Sequence, residues 1–226
     1  MIQKMEISAL LPMKGHSERV PNKNMRIFGD KPLYHCIANI LEKSEYVKEI
    51  LINTDSDIIE KDALDNFSKV KIIKRPEDLC GDMVPMNAII EYDINRCSYQ
   101  HILQTHSTNP LLKLETLNNG IKAYFEELSD YDSLFSVTKI QTRLYDKNGN
   151  AVNHNPDILL RTQDLPPLFE ENSNFYIFSK DSFIKANNKR IGLKPKMFCI
   201  DNKNESIDID DMDDFYIAEI LYKSAK

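Results

Sequence analysis

No C-x-x-C pair occurs in this chain of 226 residues: its four cysteines, Cys36, Cys80, Cys97 and Cys199, stand far apart. That spacing argues against a zinc ribbon or a disulfide framework and leaves the thiols as reduced, mostly buried side chains. Long hydrophobic runs are missing too. None approaches the roughly 20 residues of a membrane span, and the opening segment, MIQKMEISALLPMKGHSERVP, has no small-residue cleavage site after its short apolar stretch. The chain is therefore expected in the cytoplasm. Neither G-x-x-x-x-G-K-[ST] nor G-x-G-x-x-G is present, which disfavours a P-loop ATPase and a dinucleotide dehydrogenase. Positive charge is the minority, 29 Lys and Arg against 35 Asp and Glu, for a net charge of −6. Nucleic acid and anionic membranes reward a basic surface, so neither is an expected partner. Internal repeats and low-complexity tracts are also lacking.

What is present is ordinary globular material. Hydrophobic residues make up 42% and charged residues 28%, and the length suits a single domain with its own core. Residues 5–11 form an apolar run that reads as a central strand feeding a long loop over 13–30. Apolar spacing predicts a helix at 31–42, a strand at 49–54, a helix at 57–67 and a strand at 70–74. A helix at 83–94, a strand at 101–105, a helix at 113–128 and a strand at 133–138 continue the alternation. Strands separated by helices imply right-handed crossovers, a mostly parallel sheet and a ligand site at the carboxyl ends of the strands. The loops after Leu11, Thr54 and Thr105 should then line one cleft. The period breaks over about 143–172, where Asn148, Gly149, Asn150, Pro156, Pro166 and Pro167 mark a hairpin-like insertion. Late strands are expected at 174–178, 196–200 and 205–209, and a closing amphipathic helix at 211–223.

The loop after the first strand concentrates charge. Lys14, Arg19, Lys23, Arg26 and Lys31 stand against Glu18 and Asp30 only, a local +3 in an acidic chain. By residue type the loop is either a solvated charged surface or a cradle for a triphosphate. Near the other end, Asp208 and Asp210 alternate with Ile207 and Ile209. On an extended backbone both carboxylates project from one face, a natural seat for Mg²⁺. Asp211, Asp213 and Asp214 have a simpler role in the cap and first turn of the last helix.

The order of residues in LLPMKGHSERVPNKNMRIFGDKPLYHCI resembles the opening signature of the acylneuraminate cytidylyltransferase family, P-A-R-x-G-S-K-x-x-P-x-K-N followed by G-K-P-L. Pro12, Gly15, Ser17, Pro21, Lys23, Asn24, Lys31, Pro32 and Leu33 match. Lys14 stands where the family usually has Arg, which keeps the charge and loses the planar fork, and Glu18 stands where it usually has Lys. Residues 53–57 (NTDSD) resemble the family's S-T-D-S turn, although Thr54, Asp55 or Ser56 could equally cap the next helix. Residues 75–82 (RPEDLCGD) resemble R-P-x-x-L-A-x-D, with Asp82 also able to cap a helix. Residues 105–111 (THSTNPL) resemble Q-x-T-S-P-L, with His106 in place of the glutamine or Gln104 nearby. The ending around Asp208 and Asp210 resembles D-I-D-T-P-x-D-L. Arg161-Thr162-Gln163-Asp164-Leu165-Pro166 and Asn172 with Tyr176 resemble R-x-Q-D-L-P and N-x-x-x-Y.

The resemblance implies a three-layer α/β/α domain over 1–226 with a Rossmann-like sheet of the nucleotide-diphospho-sugar transferase type, and a dimerisation insertion at about 143–172. It implies transfer of CMP from CTP to a sialic or related nonulosonic acid by a homodimer, with Mg²⁺ as cofactor. Lys14, Gly15, Ser17, Arg19, Lys23, Asn24, Arg75 and Asp82 would bind the nucleotide, and Lys14, Lys23 and Asp210 would act in catalysis. Asp208 and Asp210 would hold the metal. His106, Arg161, Gln163, Asn172 and Tyr176 would contact the acid sugar, with Arg143 or Lys139 as further candidates for pairing with its carboxylate. A Kdo-type acceptor, or a glycosyltransferase using Asp208-x-Asp210 on a nucleotide sugar, stays open.

Overall fold

A computed structural model describes residues 4–81 and 83–225. The first strand, β1 (Ile7–Leu10), is buried along its whole length, as a strand covered on both faces must be. It leads into the basic loop, where a 3-10 turn (Lys23–Met25) precedes a small antiparallel hairpin of β2 (Ile27–Phe28) and β3 (Lys31–Pro32). Then follow α1 (His35–Lys43), β4 (Val47–Thr54), α2 (Asp57–Asn66), β5 (Val70–Lys74), α3 (Met86–Ile94), β6 (His101–Thr105) and α4 (Leu114–Glu126). The chain ends with β7 (Ser133–Ile140), β8 (Leu168–Ser179), α5 (Lys180–Lys185), β9 (Pro195–Cys199) and α6 (Met212–Ser224).

Seven strands form one sheet in the order β5-β4-β1-β6-β8-β7-β9. All neighbours are parallel except β8, which runs against both β6 and β7. The alternation of side chains along each strand sorts the core into two layers. Ile7, Ala9, Ile50, Ile52, Leu103, Phe175 and Ile177 pack with α1, α2 and α4. Leu10, Leu51, Ile73, Ile102, Tyr176 and Phe178 pack on the opposite side with Ile90 and Ile94 of α3 and Phe183 of α5. Helices thus cover both faces of a mostly parallel sheet, the three-layer arrangement expected.

Three expectations are corrected. The helix expected from residue 31 starts at His35, because Lys31–Pro32 pairs as β3 with β2 around Gly29, whose φ of 69° lies in the left-handed region. A Cβ at Gly29 would stand 2.7 Å from the Tyr222 ring, so α6 also demands glycine there. Residues 205–209 are not a strand. A 3-10 turn (Lys203–Ser206) begins the segment, and its carbonyls go to side chains: Asn174 Nδ2 donates to Glu205 O at 2.7 Å and Lys23 Nζ to Ile209 O at 2.7 Å. Residues 168–172 belong to β8 rather than to the insertion, which carries an isolated bridge, Tyr145 to Ala151.

A third apolar cluster joins Val20, Phe28, Leu33 and Cys36 to Ile209, Phe215 and Ala218. It clamps α6 onto the basic loop, and Gly29 N–H donates to Glu219 Oε1 at 2.9 Å. Asp211 caps α6 by accepting from Asp213 N at 2.9 Å and Asp214 N at 3.0 Å, while Asp214 accepts from Asp211 N. The first and last segments are thereby held side by side.

Candidate active site

A cavity of about 410 Å³ opens where the chain leaves β1, β5 and β6. Lys14, Ser17, Arg19, Lys23 and Asn24 line it from the basic loop, Arg75 from the turn after β5, and His106, Ser107 and Thr108 from the turn after β6. Leu79, Val84, Met86 and Ile89 form its apolar wall. The loop is held by its own backbone. Gly15 N–H donates to Asp55 Oδ1 at 2.7 Å, and a Cβ at Gly15 would stand 2.9 Å from Ser56 Cβ, so the turn after β4 touches the loop too closely for a side chain. Ser56 meanwhile caps α2. Asn24 ties the two sides of the cavity together: its Nδ2 donates to Lys14 O at 2.8 Å and its Oδ1 accepts from Ser107 Oγ at 2.6 Å.

The late carboxylates reach the same place. Arg19 Nη2 is 2.7 Å from Asp210 Oδ1. Ile209 is buried, and its N–H donates to Thr108 O at 2.9 Å, which holds Asp208 and Asp210 beside the mouth of the cavity. The Lys23 ammonium is pushed below its ordinary value by burial, against the attraction of Asp208 and Asp210. The Asp208 carboxyl is pushed up, first by burial and then by Asp210, while a hydrogen bond to Thr108 and the Lys23 charge pull it down. Cationic loop and carboxylates therefore form one interlocked electrostatic unit.

The cytidylyltransferase family model matches residues 8–226, nearly the whole chain. This chain belongs to the cytidylyltransferase family. It is 27% identical to a pseudaminic acid cytidylyltransferase of Campylobacter jejuni, over 95% of each chain. It is 28% identical to a CMP-N,N'-diacetyllegionaminic acid synthase of Legionella pneumophila, over 96% of each. Its fold is that of a CMP:2-keto-3-deoxy-manno-octonic acid synthetase solved in complex with CTP, at a TM-score of 0.74 and 10% identity, over 98% of this chain and 100% of the other.

Two buried networks back the cavity of this cytidylyltransferase. Arg75 donates from Nε to Asn53 Oδ1 at 2.7 Å and from Nη2 to Asn53 O at 2.9 Å. Asn53 Nδ2 donates in turn to Asp93 Oδ1 at 2.6 Å, while Asp93 Oδ2 has no hydrogen-bond partner among the described residues. Burial pushes the Asp93 carboxyl up to about 6. On the other side, His106 Nε2 lies 3.1 Å from Gln104 Nε2 and 3.4 Å from Arg190 Nη1. Both neighbours are donors, so Nε2 accepts and the ring proton sits on Nδ1. Burial, then Arg190, pushes this imidazole down to about 3, so it is neutral at physiological pH.

The remaining sequence-selected residues of the cytidylyltransferase lie elsewhere. Tyr176 is fully buried in β8, and its hydroxyl donates to Glu171. Asn172 is buried as well, accepting from Ser136 Oγ at 2.6 Å and donating to Thr138 Oγ1 at 3.0 Å. Arg161 is exposed and paired with Asp164 at 2.7 Å, and Gln163 is exposed beside it; within one chain neither lines the cavity. Asp82 lies outside the described residues. Asp93 and Arg190 were not singled out from sequence. No local spacing marks either, since each acquires its place through a contact between distant elements.

Proposed function

We propose that the chain transfers CMP from CTP to the anomeric hydroxyl of an acidic 2-keto sugar, a sialic or related nonulosonic acid, with release of pyrophosphate. The observation that carries the reading is the meeting of Arg19 and Lys23 with Asp208 and Asp210 at one cavity, an Arg19–Asp210 contact of 2.7 Å included. Lys14, Arg19 and Lys23 neutralise the triphosphate, and the backbone at Gly15 with Ser17 and Asn24 positions it. Arg75 encloses the nucleoside with the apolar wall of Leu79 and Ile89, and Asp82 is proposed as a nucleotide-binding residue on the family resemblance alone. The acceptor oxygen attacks the α-phosphorus, the bond to the β-phosphate breaks, and Asp210 takes the proton. Placement and charge stabilisation supply most of the acceleration, so no nucleophilic side chain is needed.

The donor set at Asp208 and Asp210 suits Mg²⁺: two carboxylates raise each other's affinity for positive charge, and a hard cation that keeps several waters needs no third protein ligand. When bound, Mg²⁺ would add positive charge beside the phosphates. The residues would otherwise rely on Arg19 and Lys23 for that balance.

The insertion, bounded at about 143–167 by the start of β8 and carrying exposed Ile158, Leu159 and Leu160, is proposed as the contact of a homodimer, through which Arg161 and Gln163 reach the acceptor bound to the paired copy. His106 contacts the acceptor directly, and Asn172 and Tyr176 support that site from below. No helix among the described residues is long and apolar enough to cross a membrane, and a cytoplasmic location is proposed. The test is pyrophosphate release from CTP and Mg²⁺ against a panel of sialic, legionaminic, pseudaminic and Kdo-type acids. Turnover with a nonulosonic acid is expected. Turnover with the Kdo type alone would reassign the acceptor, and bound CTP with no turnover on any acid would overturn the reading.

A further inference from the structure

Arg190 sits in the connection between α5 and β9, which is fixed on both sides of it. Asn187 and Asn188 adopt the left-handed region with φ of 56° and 57°, and Asn188 Nδ2 donates to Glu91 Oε1 of α3 at 2.8 Å. Beyond the arginine, Gly192 N–H donates to Ser133 Oγ at 2.8 Å and Leu193 N–H to Asp132 Oδ2 at 2.9 Å. The arginine thus hangs from a pinned backbone. Its guanidinium carbon lies 3.6 Å from the centroid of the Tyr176 ring, and its side chain is 19% exposed.

A cation placed so deep is costly without a close countercharge. The Glu171 carboxylate forms a loose ion pair with it, 3.7 Å from Nη2 and beyond hydrogen-bond reach, and is shared with the Tyr176 hydroxyl, from which it accepts. Nη1 donates to Gln104 Oε1 at 2.7 Å and approaches His106, which lines the cavity. On the β1 side, Arg19 and Lys23 are already engaged with Asp210 and the Ile209 carbonyl. Arg190 stands on the β6–β8 side, next to a neutral histidine whose Nδ1 carries a proton. Its planar fork matches a carboxylate, and an acceptor acid needs a countercharge separate from the one that holds three phosphates.

We infer that Arg190 is a specificity-determining residue that holds the carboxylate of the acceptor sugar, with Gln104 and His106 setting its orientation. The assignment rests on the cytidylyltransferase reading of the cavity. It adds to that reading a residue that neither the motifs nor the spacing of the chain indicate.

The experiment compares wild type, Arg190→Met and Arg190→Lys with CTP and two acceptors, the best acid of the panel and its neutral methyl ester. For Arg190→Met the KM for the acid should rise about tenfold or more, while the KM for CTP stays within about twofold. The preference for acid over ester in kcat/KM should fall by the same factor. Arg190→Lys, which keeps the charge and loses the fork, should lie between the two and serves if the Met variant does not fold. A purely structural arginine would weaken acid and ester alike, or raise the KM for CTP, and either result overturns the assignment. Wild type inactive on every acid would sink the underlying reading and this assignment together. Active wild type with an unchanged acid-to-ester ratio in the variants would sink this assignment alone.

Discussion

Replacing Asp93 by Asn should remove a loss of stability that the wild-type chain suffers as pH rises. Asp93 is fully buried on α3, and one of its oxygens accepts from Asn53 at 2.6 Å while the other has no partner among the described residues. Burial raises its pKa from the ordinary 3.8 to about 6, with Asn53, Arg75 and Arg96 pulling the other way. Between those values the native state binds more protons at this site than the unfolded chain, so the free energy of unfolding falls as pH rises. Across that interval, at ~1.4 kcal/mol per pH unit, the loss amounts to about 3 kcal/mol, complete above about pH 6. The amide of the variant would keep the acceptor for Asn53 and titrate nothing. Urea unfolding of both proteins from pH 4 to 8 checks this, because subtracting one curve from the other cancels Asp208 and every other shared group. The stability of the variant relative to wild type should climb by about 2.5 kcal/mol between pH 4 and 7, the rest of the loss falling below pH 4. A flat difference, or one that climbs toward acid, would refute the burial argument.

Three other substitutions probe separate parts of the account. Asp210→Asn should lower CTP-dependent turnover by about a hundredfold or more, as loss of a transition-state charge does, and leave the unfolding midpoint within a few degrees because the side chain is exposed; near-normal turnover would remove Asp210 from catalysis. Gly120→Ala sets helix propensity, worth up to about 1 kcal/mol in favour of Ala, against a Cβ placed 2.7 Å from the Phe175 ring. Overpacking costs typically about 1–3 kcal/mol, so a net loss of about 1–2 kcal/mol in urea is expected, and a gain would show that Phe175 yields freely. Asp211→Ala removes the cap of α6 and should cost about 1 kcal/mol together with weaker CTP binding, since α6 clamps the loop through Phe28 and Phe215; unchanged CTP affinity, measured by calorimetry, would separate the helix from the site.

Much of the fold was legible because the central strands are short apolar runs that can be buried only from both sides. The side on which α1, α2 and α4 pack follows from simple alternation in β1, β4 and β8. The cationic loop and the Asp208–Asp210 pair were legible as well, since charge density and a period of two survive even though residues 205–209 make no ladder. That segment imitates a strand because alternation reports an extended backbone and not its partners, which here include the side chains of Asn174 and Lys23. The hairpin of β2 and β3 was hidden for a related reason: Leu33 and Ile37 continue a helical spacing into α1 and mask the boundary that Pro32 and Gly29 impose. Arg190 and Asp93 were invisible. Their roles come from β8 lying against β6 and from α3 lying under β4, and no local spacing encodes such contacts.

The central claim is a transfer at the α-phosphorus of CTP, and the destination of that atom tests it most directly. CTP carrying radioactive phosphorus at either the α or the γ position would be incubated with Mg²⁺ and the preferred acid, and the products separated. The α label should appear in a sugar nucleotide and the γ label in pyrophosphate, in equal amounts. Label from the γ position on the sugar, or release of CDP and inorganic phosphate, would contradict it.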